Sequence, residues 1–413
     1  MRIAVYHNLP SGGGKRTLFE QVRRLSKLHE IDVYTLSIAS HDFGDVRPLV
    51  KNHTIYPFRL LPLLNSPFGR VNPLLRIFNL KRLGRITKRI GEQIAADSYD
   101  MTLVHPCLYE ASSSLLYHLR PGPSVYYCQE PLRLLYEEMP WRPYYGAELK
   151  RRQFLNRFDP LPGLFRRTLQ NNDRRNTLSA GMVLVNSEFS RGNVAGIYGV
   201  DARVSYHGID AQFFRPMQTG KEHFVLSVGS LTPLKGFDFL IQVMAELPVL
   251  NRPRLVIASN FQNPDERQYL EGLAAELNVD VEFLGNVSDD RLLELYNQAK
   301  LTLYAPVREP FGLVPLESLA CGTPVVVVRE GGIQETIIDS VDGFMVERDA
   351  QKFAAAVNRL LSDPAMLEQF GQRGREQVMR DWTWERSIDT LQSHLFACAN
   401  SSEKSGLREP LKT

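Results

Sequence analysis

Cysteine is scarce in this chain: among 413 residues only Cys107, Cys128, Cys321 and Cys398 occur, far apart. They form no C-x-x-C pair and no metal-ligand spacing, which excludes a disulfide framework and leaves reduced thiols in a cytosolic protein as the expectation. Charge of one sign is also missing. Lys plus Arg number 49 against 46 Asp plus Glu, a formal net charge of +3, so nothing in the overall charge calls for a nucleic-acid partner and basic character matters only where it is local. No window approaches about 18 consecutive apolar residues, which excludes a spanning helix and leaves surface attachment open. The opening MRIAVYHNLP has too short an apolar run for a signal peptide and reads as a first strand, so secretion is not expected. The dinucleotide fingerprint G-x-G-x-x-G is absent as well.

What is present suits two domains of roughly 200 residues each, because one ordinary core does not grow that large. The richest stretch is Arg308 to Pro324, R-E-P-F-G-L-V-P-L-E-S-L-A-C-G-T-P. Before it, LTLYA (301–305) is short, apolar and β-prone; after it, Val325 to Val328 is a β-branched run. Between them Pro315 suits a first helical turn and Gly322 a helix exit, predicting a helix from Leu313 or Val314 to Cys321. The amides of Gly312, Leu313 and Val314 then lack intrahelical acceptors beside the positive end of the helix dipole, where an anion is favoured. Glu317 falls in the first turn or so, with two acceptor oxygens for the two hydroxyls of a ribose. Glu309 stands eight positions earlier on the loop, within reach of an uncharged sugar beyond the phosphates. Taken alone, the same two acids also fit a helix cap and a solvated loop.

The rest of the chain alternates strands and helices, the pattern of doubly wound parallel sheets. Strands are predicted at Arg2–Tyr6, Ile31–Ser37, Met101–Val104, Ser124–Cys128 and Gly181–Val185. In the second half they fall at Phe224–Ser230, Arg254–Ala258 and Val281–Leu284. Pro10 to Gly14 follows the first strand; its triple glycine fits either a close backbone approach to a ligand or a flexible turn. Residues 41–73 have no assignment. From Leu74 to Ala95 a basic amphipathic helix is expected, with Leu75, Phe78, Leu83, Ile86, Ile90 and Ile94 on one face; docking on an anionic membrane surface and ordinary packing on a sheet both fit it. His105 closes a strand, with Pro106 turning the chain, and Lys235 stands in a loop ahead of the helix Phe237–Glu246, where it can neutralise a diphosphate.

The pair Glu309 and Glu317 with Phe311-Gly312 between them resembles the E-x7-E signature of retaining glycosyltransferases of family 4. Asn186-Ser187-Glu188-Phe189, the crossover His207-Gly208-Ile209-Asp210 and the loop Glu330-Gly331-Gly332-Ile333-Gln334-Glu335 are similar to that family too. The likeness runs from about Met1 to Cys398, strongest over residues 204–345. It implies the GT-B fold, an α/β architecture of two Rossmann-like doubly wound domains facing an interdomain cleft. Residues 1–205 would bind the acceptor, residues 206–382 the donor; 383–398 would be a helix crossing back, and 399–413 a polar tail.

The resemblance also implies roles. Gly13, Gly14, Lys235 and the Gly312 loop would hold a diphosphate, and Glu309 and His105 the donor sugar. Arg308, Phe311, Leu313, Val314 and Glu317 would complete the donor site, while Gln129, Glu130 and Arg133 would face a glycan or lipid-linked acceptor, as in mannosyltransferase-like members. Ser230 replaces an arginine that the family uses beside the lysine, with Arg308 the nearest substitute. No D-x-D loop appears, and the one acidic pair of similar spacing, Asp280 and Glu282, lies in an apparent strand. The expected activity is therefore metal-independent, cofactor-free transfer of a hexose with retention from a nucleoside diphosphate sugar, in a cytoplasmic protein with peripheral membrane contact through residues 74–95. Two rivals stand beside it: a phosphorylase or epimerase of similar architecture, and a degenerate sugar-nucleotide-binding scaffold for which Ser230 would speak.

Overall fold

The computed structural model describes residues 1–65, 68–120, 122–146, 159–261 and 263–404. The chain divides into two compact units. The first comprises Met1–Glu137, Leu149–Tyr206 and Ser387–Thr413, and the second Glu138–Glu148 and His207–Arg386. Residues 138–148 thus leave the N-terminal half to join the second unit. Arg142 ties them there: its guanidinium meets Glu266, which is fully buried, at 3.0 Å and Asp238 at 3.0 Å.

In the first unit, β1 (Arg2–Asn8), β2 (Glu30–Leu36), β3 (Asn52–Tyr56), β4 (Met101–Cys107), β5 (Ser124–Tyr127), β6 (Met182–Val185) and β7 (Arg203–Val204) form one sheet. Its order is β3-β2-β1-β4-β5-β6-β7, and its pairings are parallel. Side chains alternate between two cores, as the period of a strand requires. Ala4, Tyr6 and Val104 face one, with Leu83, Ile90 and Ile94 of the helix Asn72–Ala96. Ile3, Val5 and Leu103 face the other, with Ile388, Leu391 and Leu395 of the helix Trp384–Lys404.

Several expectations shift here. The edge strand β3 lies in the stretch left without assignment; its polar, half-exposed sequence NHTIY hides it. Helix Asn72–Ala96 buries Leu80, Leu83, Thr87, Ile90, Gly91 and Ile94, so Phe78 belongs to the solvent side, where it is 48% exposed. Pro106 does not turn the chain: β4 continues to Cys107 and takes up Pro106 as a bulge, the register against β1 slipping between Tyr6 and Asn8. The helix Gly13–Leu25 starts inside the glycines, with Gly12 at its N-cap in a φ of 136°. The helix Trp384–Lys404 carries past the expected start of the tail, and 405–413 lie outside the described residues.

The second unit holds β8 (Phe224–Val228), β9 (Arg254–Ser259), β10 (Val281–Gly285), β11 (Thr302–Tyr304), β12 (Val325–Val328) and β13 (Gly343–Val346), in the order β10-β9-β8-β11-β12-β13. These pairings are parallel as well. The order reverses between β8 and β11, and in such sheets a ligand crevice opens beyond the carboxyl ends at the reversal. β13 has no counterpart among the expected strands.

Candidate active site

Two loops meet at the reversal between β8 and β11. After β8 the chain makes a single 3-10 turn, Pro233–Lys235, and leaves through Gly236 at φ 66°. A Cβ on Gly236 would lie 2.0 Å from the carbonyl oxygen of Ala305 at the end of β11, so only glycine permits this approach. The Val307 amide donates to the Leu234 carbonyl (2.8 Å) and locks the loops together.

This places Lys235 against Glu309. Its ammonium donates to both carboxylate oxygens, at 3.0 and 2.8 Å, with the two side chains only 22% and 19% exposed. The buried Tyr304 hydroxyl, at the end of β11, also hydrogen-bonds Glu309. Burial and then the charges of Glu309 and Glu317 push its pKa well up, so it stays a neutral donor. The Glu309 carbonyl accepts from the Gly332 amide at 2.8 Å. Gly331 and Gly332 pack on this loop. A Cβ on Gly331 would fall 2.3 Å from the Glu309 oxygen, and one on Gly332 2.0 Å from the Pro310 oxygen.

From Gly312, at φ 93°, the helix Leu313–Ala320 begins with Leu313 and Val314 half-buried at its open end. Glu317 is its fifth residue and sits in the second turn rather than the first. It is 6% exposed, and one of its oxygens accepts from the Tyr296 hydroxyl at 2.8 Å. Phe311, expected at the donor, is 3% exposed and packs edge-on against His207 (5.1 Å) and Trp382 (5.6 Å). The ring is held in that aromatic cluster and anchors the motif from behind. His207 pays for the company in charge: burial pushes its pKa down to about 3.

Arg308 is exposed, at φ 47°, and its amide approaches Glu330 at 3.3 Å. Ser230 lies half-buried in the loop after β8, its carbonyl accepting from Thr232 at 2.8 Å. Arg348 is the residue that sequence reasoning missed. It holds Glu330 at 2.7 and 3.0 Å and the carbonyls of Ala305 and Pro306 at 3.0 and 2.9 Å, bracing the root of the Glu309 loop. Although burial raises the Glu330 carboxyl, the Arg348 guanidinium outweighs it and holds the pKa below its usual range. Only the adjacency of Glu347-Arg348-Asp349 hinted at this, and charged turns are common.

The other expected residues belong to the first unit. Gly13 and Gly14 open the helix that follows β1. The Gln129 amide donates to the Gly14 carbonyl at 3.2 Å, and a Cβ on Gly14 would meet Gln129 at 2.7 Å, so Gly14 has an internal reason to be glycine; nothing lies within 4 Å of a Cβ on Gly13. Glu130 is exposed. Arg133 is 9% exposed and bound to Glu137 at 2.8 Å. His105 is fully buried and stacked on Tyr127 at 5.6 Å, with His7 and Lys15 also buried, their side chains 3.1 Å apart.

Two Rossmann-like units of parallel strands define the GT-B class of fold. Residues 209–377 match the family model "Glycosyl transferases group 1". Over 167 residues the chain is 38% identical to an uncharacterized glycosyltransferase of Methanocaldococcus jannaschii, covering 40% of this chain and 42% of the relative. It is 32% identical over 236 residues to the D-inositol 3-phosphate glycosyltransferase of Acidothermus cellulolyticus, covering 52% of each. With the human alpha-1,3/1,6-mannosyltransferase ALG2 it shares 26% over 268 residues, 59% of this chain and 63% of that one. The chain thus spans about half the length of the curated relatives it matches. Among solved structures, sucrose-phosphate synthase from Thermosynechococcus elongatus superposes with a TM-score of 0.73 at 22% identity, covering 96% of this chain and 99% of that one. HepE of Anabaena in complex with UDP-glucose gives 0.65 at 17%, covering 96% and 100%.

Proposed function

We propose that this protein is a retaining, metal-independent glycosyltransferase of family 4, mannosyltransferase-like, that moves a hexose from a nucleoside diphosphate sugar to a glycan or lipid-linked glycan. One observation carries the reading: the Lys235–Glu309 pair beside the open start of helix Leu313–Ala320, with Glu317 held eight positions later by Tyr296. Relatives named as a mannosyltransferase and an inositol phosphate glycosyltransferase support the class, and the UDP-glucose complex of HepE supports a sugar nucleotide as donor.

In this reading the diphosphate lies at the amides of Gly312, Leu313 and Val314 and competes with Glu309 for the Lys235 ammonium. Glu309, released, turns its oxygens to the sugar hydroxyls, and the Glu317 carboxylate takes the ribose. The bond from the anomeric carbon to the β-phosphate oxygen breaks while the bond to the acceptor oxygen forms on the same face. The acceptor proton passes to the departing phosphate oxygen. Lys235 and the helix dipole stabilise the charge that develops, and the protein contributes placement rather than a strong base.

A cytoplasmic site of action with peripheral contact to an anionic membrane belongs to the same reading. Its support is the start of the basic helix: Phe68 is 70% exposed, Leu74 43% and Phe78 48%, among exposed Arg70, Arg76, Lys81 and Arg85. Among the described residues no helix is long and apolar enough to cross a membrane.

The test is slow hydrolysis of a panel of sugar nucleotides (GDP-mannose, UDP-glucose, UDP-N-acetylglucosamine, UDP-galactose) by wild type and Glu309→Ala, with and without chelator. Hydrolysis of one donor, insensitive to chelator and lost in the variant, is the expected result. Ser230 in the arginine's place favours a second reading, a sugar-nucleotide-binding scaffold; nucleotide binding without turnover under any acceptor would establish it.

A further inference from the structure

The amino-terminal edge of the second sheet carries an opening that the donor site does not use. Lys221 leads into β8, Lys300 into β11 and Pro324 into β12, so all three stand at the edge opposite Lys235 and Glu309. Together with the helices Ala350–Leu361 and Pro364–Asp381 they line a groove of about 1080 Å³, at the upper end of the range for small-molecule sites. Cys321 and Gly322, the exit of the helix that bears Glu317, form part of its lining.

Much of the wall is apolar, with Met217 (39% exposed) and Met379 (48%) beside Leu361 and Leu367. Methionines on an open surface suit an adaptable apolar partner. The charged groups do not balance: Lys221, Lys300, Arg375 and Arg380 face only Glu368 and Glu376 in the lining. Arg380 is taken up by Asp381 at 2.7 Å, and Arg375 caps the carbonyls of Ala320 and Phe214.

Lys221 is different. Its ammonium donates to the Ala299 carbonyl (2.9 Å) and the Thr323 hydroxyl (2.8 Å), which leaves one of its three donors over, and it has no carboxylate partner among the described residues. The residue as a whole is exposed, but its ammonium is tucked in, and burial pushes its pKa down to about 8. Two positions earlier the Thr219 hydroxyl is buried without a hydrogen-bond partner among the described residues. Buried polar groups left open in this way are uncommon and ask for a ligand.

We propose that this groove binds a small amphipathic anion, its apolar body against Met217, Leu361, Leu367 and Met379 and its carboxylate, sulfonate or phosphate at Thr219 and Lys221. A purely apolar occupant would leave Lys221 uncompensated, and a bare inorganic anion would leave the wall wet.

The probe is 8-anilinonaphthalene-1-sulfonate, followed by fluorescence with the full chain, and competed with dodecanoate, dodecanol and inorganic phosphate. The expected result is one saturable site from which dodecanoate displaces the probe, at least tenfold better than dodecanol or phosphate. Lys221→Met and Leu367→Trp, the second filling the groove, each weaken binding tenfold or more while thermal unfolding stays cooperative. Thr219→Val, a near-isosteric change, weakens it several-fold and decides the matter should either of the others misfold. Saturating UDP or GDP leaves the probe in place. Binding that does not saturate, that ignores all folded variants, or that nucleotide displaces would overturn the proposal.

Discussion

The carboxyl edge of the first sheet and that of the second are charged in opposite ways. In the second, two cations beyond the strand ends each have an acid: Lys235 meets Glu309, and Arg348 meets Glu330, both pairs partly open to solvent. In the first, Lys15 is 2% exposed and its hydrogen-bond partner is His7, which is fully buried; His53 lies next to Thr35 at 3.0 Å. Burial drives Lys15 down to about 8 and His53 to about 4, with only Asp45 pulling the lysine back, and Asp45 is itself bound to Arg47 at 2.8 Å. One edge keeps its charges in balanced, partly exposed pairs. The other stores basic groups with their protons partly stripped, at a cost in stability.

The strongest way to break this contrast is to move the second edge apart. Gly332→Ala puts a Cβ 2.0 Å from the Pro310 oxygen. We expect donor hydrolysis to fall by more than about 10³-fold and stability by about 3 kcal/mol in urea unfolding. Separating the two acids comes next. Glu309→Ala should lower turnover about 10³-fold with nucleotide affinity changed less than threefold, whereas Glu317→Ala should weaken nucleotide binding about tenfold and strand the Tyr296 hydroxyl. Equal loss of both functions in both variants, by calorimetry and rate assay, would end the division of labour between them.

The same contrast explains what could be read in advance. The second unit was legible because its site is a contiguous motif: loop, glycine, helix and two acids lie within Glu309–Glu317, and helix Phe237–Glu246 and strand Val325–Val328 fall where the pattern puts them. What stayed hidden depends on contacts distant in sequence. Arg348 reaches back 43 residues to Ala305, and Gly331 and Gly332 lie so close to the Glu309 loop that a Cβ on either would meet its backbone. Burial hides still more. Phe311 sits inside the motif yet faces His207 and Trp382, and no spacing rule tells a ligand-facing aromatic ring from an anchoring one. In the first unit, β3 escaped because an edge strand needs no apolar alternation, and the basic cluster escaped because His7, Lys15 and His53 converge from three elements.

Smaller effects sharpen the comparison at the first edge. The folded pKa of Lys15 lies below its unfolded value of 10.5, so the unfolded chain binds the proton more tightly and the cost is fully present below about pH 8. Lys15→Met should therefore raise stability by about 2 kcal/mol at pH 7, read from urea midpoints, while Lys235→Met should gain nothing and lose turnover. His207, with a folded pKa of about 3 against 6.5 unfolded, likewise loses stability as pH falls below 6.5. Acidification to pH 5 should cost about 2 kcal/mol through it alone, and His207→Leu should flatten that slope. The smallest effect is expected of Gly13→Ala, which meets nothing within 4 Å and favours its helix. Unfolding should shift by less than about 0.5 kcal/mol, so any loss of donor binding in that variant reports a ligand against the glycine backbone.

The helix Trp384–Lys404 has a consequence for synthesis. Ile388, Leu391 and Leu395 complete a core begun by Ile3, Val5 and Leu103, yet the ribosome makes them only after all of residues 207–386. The first unit to be translated is therefore the last that can close: Leu18, Val22 and Leu25 of the helix Gly13–Leu25 cover part of that apolar face of its sheet, and the rest must wait while the second unit folds. Arg142 waits in the same way for Glu266, so nascent chains of this protein should depend on holding chaperones more than two sequential domains would.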